Sequence, residues 1–470
     1  MLLKLNCKKA LIPVVLLVLA TVFETGCSSG GSSNLTNTTT STGSSFVVGT
    51  DAPMASVASF SVVVSGISAT DSNGNTVQLI SGSPTVDFAR YNGLQTLLDM
   101  NDVNAGTYSN VAITLGAATI GYLDTSGGGA PTIQTMTATF PNSPEVVTIP
   151  LDTPLVVAAS GAPAGLRVDF DLRKSIQVDS SGQITGQVTP TFNVKAVTNS
   201  DGGAYIDEFD AAVVAAPAAG AQSFTVQGPH GRQFTVNVSG QTEWDGDASL
   251  SALTSSSIVQ ISGALDRADA TIDADEVTIL SQSGFYAAGQ VTYVTPATGA
   301  ASSFDLYVRG LLPTTTGLTL GQIAQIDLSG SENYSIYWMH GPLAQFLFNQ
   351  SGLVPGQHVA VGGPASGATN AQDVSVKRVT LRHWGYNGTI VAGSVNAGND
   401  TFQMTVNGFA GLLVPGNVTV YVTDKTQFRD GLTSMGDVEG SANVRVVGLL
   451  LKDPVSGNLV LVAHYVDALS

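Results

Sequence analysis

Several groups of residues in this 470-residue chain have the types and spacing that chemistry requires. The first is a pair of carboxylates. In residues 167–172 a strand alternation places Arg167, Asp169 and Asp171 on one face, with the two aspartates about 6.6 Å apart along it. Hydrolytic acid pairs use a similar separation. A solvated polar face on which Arg167 neutralises its neighbours accounts for the same pattern. That reading is favoured, because a hydrolase pair needs a facing strand and aromatics that this segment does not supply. The five histidines, His230, His340, His358, His383 and His464, are scattered along the chain, where a zinc site needs three to converge. The one G-x-S-x-G match, Gly26-Cys27-Ser28-Ser29-Gly30, lacks the strand-turn-helix context of a nucleophile elbow.

Oxygen ligands in an acidic chain point to Ca2+ as the metal to consider. Asp71-Ser72-Asn73-Gly74-Asn75 alternates oxygen donors, but its Gly comes too early and no Glu closes the loop, so a hairpin turn accounts for it. Asp207-Glu208-Phe209-Asp210 and residues 266–276 are denser, and both read as linker or loop charges. No catalytic, cofactor or metal residue is assigned. The remaining candidates are aromatic. Tyr337, Trp338, Trp384 and Tyr386 form a candidate ligand surface whose rings could stack on sugars; at strand spacing half of them would point inward and fill a core instead.

The elements that position these residues are strands. Ser59-Phe60-Ser61-Val62-Val63-Val64 alternates, Asp71 to Asn75 supplies a turn, and Val168, Phe170 and Leu172 share a face. Residues 93–98 are the only helical candidate. From residue 223 three segments repeat one order of events. Each has a strand pair, then a Thr/Ser-x-aromatic step (Thr242-Glu243-Trp244, Ser335-Ile336-Tyr337, Thr426-Gln427-Phe428), a strand ending near Gly, and a last strand. The pattern predicts an all-β chain. It divides into a leader at 1–26, a Ser/Thr/Gly-rich tether at 27–45, a β-sandwich at 46–200 and a linker at 201–222. Three tandem small β-barrel-like domains follow at 223–282, 283–384 and 385–470.

The leader carries Lys4, Lys8 and Lys9, then 14 residues without a charge (10–23), then small residues before Cys27. That is a secretory signal, too short at its apolar centre for a spanning helix. Without residues 1–26 the formal charge moves from −17 to −19, because three Lys and one Glu leave. Such a surface repels nucleic acid. Cys7 leaves with the leader, so no disulfide and no thiolate metal site is expected after it.

Three resemblances follow from these residues. The stretch ending in Thr25-Gly26-Cys27 resembles the lipobox of bacterial lipoproteins, which implies a diacylglycerol on Cys27 and a membrane anchor; Glu24 stands where that family carries Leu or another apolar residue. Ser28, rather than Asp, after the cysteine implies the outer membrane by the sorting rules of that family. Residues 46–198, with Gly49-Thr50-Asp51-Ala52-Pro53, Val86-Asp87-Phe88 and Gly106-Thr107-Tyr108, resemble domain-of-unknown-function family 4382, which implies a prealbumin-like β-sandwich. The three later segments resemble domain-of-unknown-function family 5666, small β-barrel modules of exported proteins. Neither family transfers a functional residue. The expected role is that of a lipid-anchored cell-envelope protein, exported and non-enzymatic. It would bind an envelope glycan or protein partner or act as a spacer, with a glycan-binding surface protein as the alternative and a hydrolase last.

Overall fold

Alternation in the first domain sorts its side chains cleanly. Phe60, Val62 and Val64 of β2 (Val57–Asp71) are buried, and the intervening Ser61 and Val63 are only half-buried. This computed structural model describes residues 41–469, apart from 53–56, 125–129, 161–162, 181–182, 199–203, 229–230, 245–247, 266–270, 313–317, 338–344 and 365–375. The leader, Cys27, the tether to residue 40 and Trp338 therefore lie outside the described residues, as do His230 and His340.

One sheet of the sandwich contains, in order, β12 (Phe192–Thr198), β9 (Ala164–Asp171), β1 (Thr42–Ala52) and β5 (Thr96–Asn104), with β1 parallel to β9. In the other, β3 (Thr76–Gln78) and β4 (Thr85–Asp87) pair with β2, and β2 pairs with β6 (Gly106–Asp124). β6 in turn carries β7 (Thr132–Ala138) and β8 (Glu145–Val157), while β10 (Ile176–Val178) and β11 (Ile184–Val188) pair separately. Between the sheets, Phe170 of β9 meets Phe60 edge-on at 5.0 Å and Phe88 at 5.3 Å, and stacks on Phe192 at 4.4 Å. Phe88 belongs to a short 3-10 helix, Phe88–Tyr91. The helix expected at 93–98 is absent. Gly93 takes φ +76° and turns the chain directly into β5, whose residues pair with β1.

Three modules follow. The first comprises β13 (Tyr205–Val213), β14 (Ser223–Gln227), β15 (Gln233–Asn237), β16 (Glu243–Trp244), β17 (Ile258–Leu265) and β18 (Ile272–Ser281). The second runs through β19 (Gly284–Thr295), β20 (Ser303–Leu312), β21 (Ile323–Asp327), β22 (Asn333–Ile336), β23 (His358–Pro364) and β24 (Arg378–Arg382). The third has β25 (Trp384–Ile390), β26 (Thr401–Val406), β27 (Asn417–Tyr421), β28 (Gln427–Arg429), β29 (Asn443–Lys452) and β30 (Leu459–Ala468). All three have one strand order: third, second, first, fifth, sixth, fourth. In the first and third, the third strand also pairs with the sixth (β15 with β18, β27 with β30), which closes a five-stranded barrel. The Thr-x-aromatic step has a structural reason: Thr242 Oγ1 donates to the Ala274 carbonyl at 2.8 Å, and Thr426 Oγ1 to that of Ala463 at 2.7 Å.

The segment expected as a linker is corrected. Residues 205–213 are β13, the strand that joins the two halves of the first barrel, with Phe209, Ala211 and Val213 packed in its core. Nor do the modules hang apart as beads: Ser41–Ser470 forms one unit. Strands β29 and β30 are buried on both faces, from Val444 to Leu451 and from Val460 to Asp467. One face fills a barrel and the other meets a neighbouring domain. Each fully buried Val or Leu contributes about 1.5–3 kcal/mol.

Candidate functional site

Among the described residues, a dense cluster of buried titratable groups lies where the sandwich meets the three modules. It is organised by a bulge. Between Ile206 and Phe209 the pairing of β13 with β17 slips by one residue, which breaks the alternation. Phe209 turns into the barrel while Asp207, Glu208 and Asp210, all buried, serve the junction.

The cations arrive from other domains. Phe88 and Ala89 are buried in the sandwich core and fix the 3-10 helix that carries Arg90. Arg90 Nη2 lies 2.5 Å from Asp210 Oδ2. From β24, Arg382 is fully buried; its Nη2 lies 2.9 Å from Glu208 Oε2 and 3.0 Å from Asp210 Oδ1. Its Nη1 donates to the Tyr286 hydroxyl at 2.8 Å, and that hydroxyl donates to Asp210. Burial pushes Glu208 up to about 7 against the pull of Arg382. Burial acts on Asp210 too, but Arg382, Arg90 and the Tyr286 hydroxyl hold it at about 2. Burial, then the nearby Arg382, push His358 well below its ordinary value; its Nδ1 donates to the His383 carbonyl at 3.0 Å.

A second knot adjoins the first. Asp207 accepts from the Gln95 amide at 2.8 Å and from the Tyr465 hydroxyl at 2.7 Å, joining β13 to the sandwich and to β30. Asp467, also on β30, binds Arg429 Nε at 2.8 Å and Arg445 Nε at 2.7 Å. Arg429 lies 3.6 Å over the Tyr465 ring and donates to the Gly93 carbonyl at 3.1 Å. Gly93 is required here twice over: its φ is left-handed, and a Cβ would sit 2.6 Å from Arg445 Nε. Beside it, Asn92 Nδ2 donates to the Gly385 carbonyl at 2.8 Å.

A raised and a lowered carboxyl side by side is the pattern of an acid-base pair. Here the side chains of Glu208 and Asp210 are 1% and 4% exposed, and their partners are arginines of other domains, so no substrate reaches them. The arrangement stores charge between domains rather than presenting it.

The residues singled out from sequence fall elsewhere. Tyr337, Trp384 and Tyr386 are buried, which corrects the candidate ligand surface. All three are engaged inside the protein. Tyr337 donates to Ser262 of the first module at 2.7 Å, Tyr386 donates to the Gly356 carbonyl of the second at 3.0 Å, and Trp384 lies 4.4 Å under Arg309 and edge-on to His358. Asp169 and Asp171 do share the outward face of β9. Asp171 caps the following turn by accepting from the Lys174 amide and pairs with Lys174 Nζ, and burial raises Asp169 against the pull of Arg167. Asp71 accepts from the Asn73 and Asn75 amides in a turn between β2 and β3. Among the described residues no three His, Cys, Asp or Glu converge to hold a metal. A cleft of about 300 Å³ between the first two modules is lined by Gln227, Gly228, Ser257, Ile258 and Leu312 without a charge.

The junction residues are hidden in the sequence because Asp207-Glu208-Phe209-Asp210 looks like a solvated run. The signal that could have found them is Phe209-x-Ala211-x-Val213, a strand alternation running straight out of the acids.

Residues 43–187 match the family model described as a domain of unknown function, DUF4382. That match covers most of the sandwich. Residues 212–278 match a second such domain, DUF5666, which covers most of the first module. The DUF5666 match begins within β13, and the two later modules repeat its strand order. None of the curated proteins matches the chain. In these terms, the DUF4382 domain inserts its Arg90–Gly93 segment among three modules of DUF5666-like topology.

Proposed function

We propose that this is an exported, lipid-anchored envelope protein that acts without catalysis, holding a rigid four-domain body on the tether that follows Cys27. The observation that supports the non-enzymatic reading is the junction itself: a dense cluster of buried titratable groups among the described residues binds domains to one another. The anchor reading rests on the leader, with its three lysines, apolar centre and Cys27. Ser28 after the cysteine favours an outer-membrane position. A body locked in this way suits docking of an envelope partner over large surfaces better than stacking on single sugar rings, since Tyr337, Trp384 and Tyr386 are inside.

Mass spectrometry of the mature amino terminus, with membrane fractionation of the native chain and of Cys27→Ser, tests the anchor. An acylated Cys27 in the membrane fraction, and release of the Ser variant into the soluble fraction, are expected. Processing at another residue, or a native chain recovered unmodified from culture fluid, would refute it.

A further inference from the structure

We infer that the four-domain junction is a proton-responsive clasp, in which the Glu208–Asp210 pair retains one proton while the sandwich and modules are docked and loosens them when that proton is lost. The inference is independent of the anchoring reading above. It starts from geometry. Both carboxylates meet the same nitrogen, Arg382 Nη2, at 2.9 and 3.0 Å. Asp210 is further engaged by Arg90 and by the Tyr286 hydroxyl, whereas Arg382 is the cation that pairs with Glu208. Two buried carboxylates against one guanidinium nitrogen do not both ionise at low cost, and the one that accepts no hydrogen bond keeps the proton. That one is Glu208.

The surroundings of Glu208 are set by every element packed on it. Arg382 comes from β24, Asp207 and Asp210 from its own strand, and Arg90 from the 3-10 helix. Tyr337, which follows β22, feels its charge. Tyr286 of β19 and His358 of β23 stand beside Arg382. Burial and three arginines oppose the charging of His358. Asp207 is also raised by burial, but it is tied to Gln95 and Tyr465 rather than to Arg382.

The sign follows from linkage. Glu208 holds its proton in the folded chain up to about 7, whereas the unfolded chain releases it near 4.5. Its contribution to stability is therefore full below about pH 4.5 and is lost as the pH rises to about 7. One proton makes the unfolding constant rise about tenfold per pH unit in that window.

The test is urea unfolding of the full chain and of Glu208→Gln, which imitates the protonated form, from about pH 5 to pH 8. The ratio of wild-type to variant unfolding constants should climb about tenfold per pH unit up to about 7 and then level off. Parallel profiles for the two proteins would overturn the inference, as would a ratio that falls with pH. Should the variant not fold, hydrogen exchange on the wild type decides. After correction for intrinsic base catalysis, β13 amides should lose protection across the same window while central β6 amides keep theirs. Constant protection in β13 would also overturn it.

Discussion

Replacing Arg382 with Met asks how much the junction holds. The methionine keeps much of the apolar stem but removes the guanidinium that meets Glu208 at 2.9 Å, Asp210 at 3.0 Å and the Tyr286 hydroxyl at 2.8 Å. Deleting one partner of a buried ion pair costs about 3–5 kcal/mol, because the other charge stays buried. Two features place Arg382 toward the lower end: Glu208 can take up a proton, and Asp210 retains Arg90 and Tyr286. The assay is differential scanning calorimetry near pH 5, where the junction keeps its proton. If the unit of about 430 residues melts together, its unfolding entropy is about 0.9 kcal/mol/K, and the transition should drop by about 3–6 °C as one peak. If the first module of about 77 residues, β13 to β18, melted alone, its entropy would be about 0.16 kcal/mol/K and a separate peak would fall by about 20–30 °C. One shifted peak is the expected result. An unchanged midpoint, or a module melting by itself in the wild type, would refute the claim that buried charge couples the domains.

Gly385→Ala should unseat the sandwich from the third module, since an added Cβ would lie 2.1 Å from the Asn92 carbonyl oxygen; a loss of at least about 1–3 kcal/mol by urea unfolding is expected. Thr242→Val and Thr426→Val remove the same staple from two modules. Each should cost about 1 kcal/mol, and costs that differ in sign would show that the repeated Thr does not share one role.

Much of the fold was legible because its signals are local. A period of two in β2 and β9 marked the strands and their buried face, and the Thr-x-aromatic step marked the first and third modules, where Thr242 and Thr426 make the same bond; Ser335 of the second lies within β22, opposite Thr380, and meets the Thr380 hydroxyl instead. What failed was any inference from one strand's polarity to its exposure. Alternation assigns the polar face to solvent, and in β13, β24, β30 and the second half of β18 a second domain covers that face. Asp210, Gln260 and Thr278 stand opposite one another across β13, β17 and β18 and are all buried, although a single barrel would leave that row wet. The same covering hid Trp384 and Tyr386. The helix expected at 93–98 failed for a related reason: Gly93 answers to Arg445, some 350 residues on in the chain.

The basic residues did carry a readable distinction, between arginine and lysine. The chain has ten arginines. Of the nine among the described residues, six bond across a domain boundary: Arg90 and Arg382 to Asp210, Arg232 to Asp99, Arg309 to Asp87, Arg378 to the Ile279 carbonyl and Arg429 to the Gly93 carbonyl. Of the lysines after the leader, Lys174, Lys195, Lys377 and Lys425 are exposed and Lys452 is half-buried. A guanidinium is weakly hydrated and presents a planar fork of donors, so it can lie between two carboxylates and still reach a hydroxyl, as Arg382 does with Glu208, Asp210 and Tyr286. An ammonium is a strongly hydrated point and gains little from being sealed there. In a chain with charges on only 11% of its residues, each arginine is therefore a better guide to where domains meet than the acids around it, because the acids serve turns and caps as readily as junctions. Asp171 caps a four-residue helix and Asp71 a hairpin turn, whereas Arg90, with the same solvent to choose from, runs into the first module.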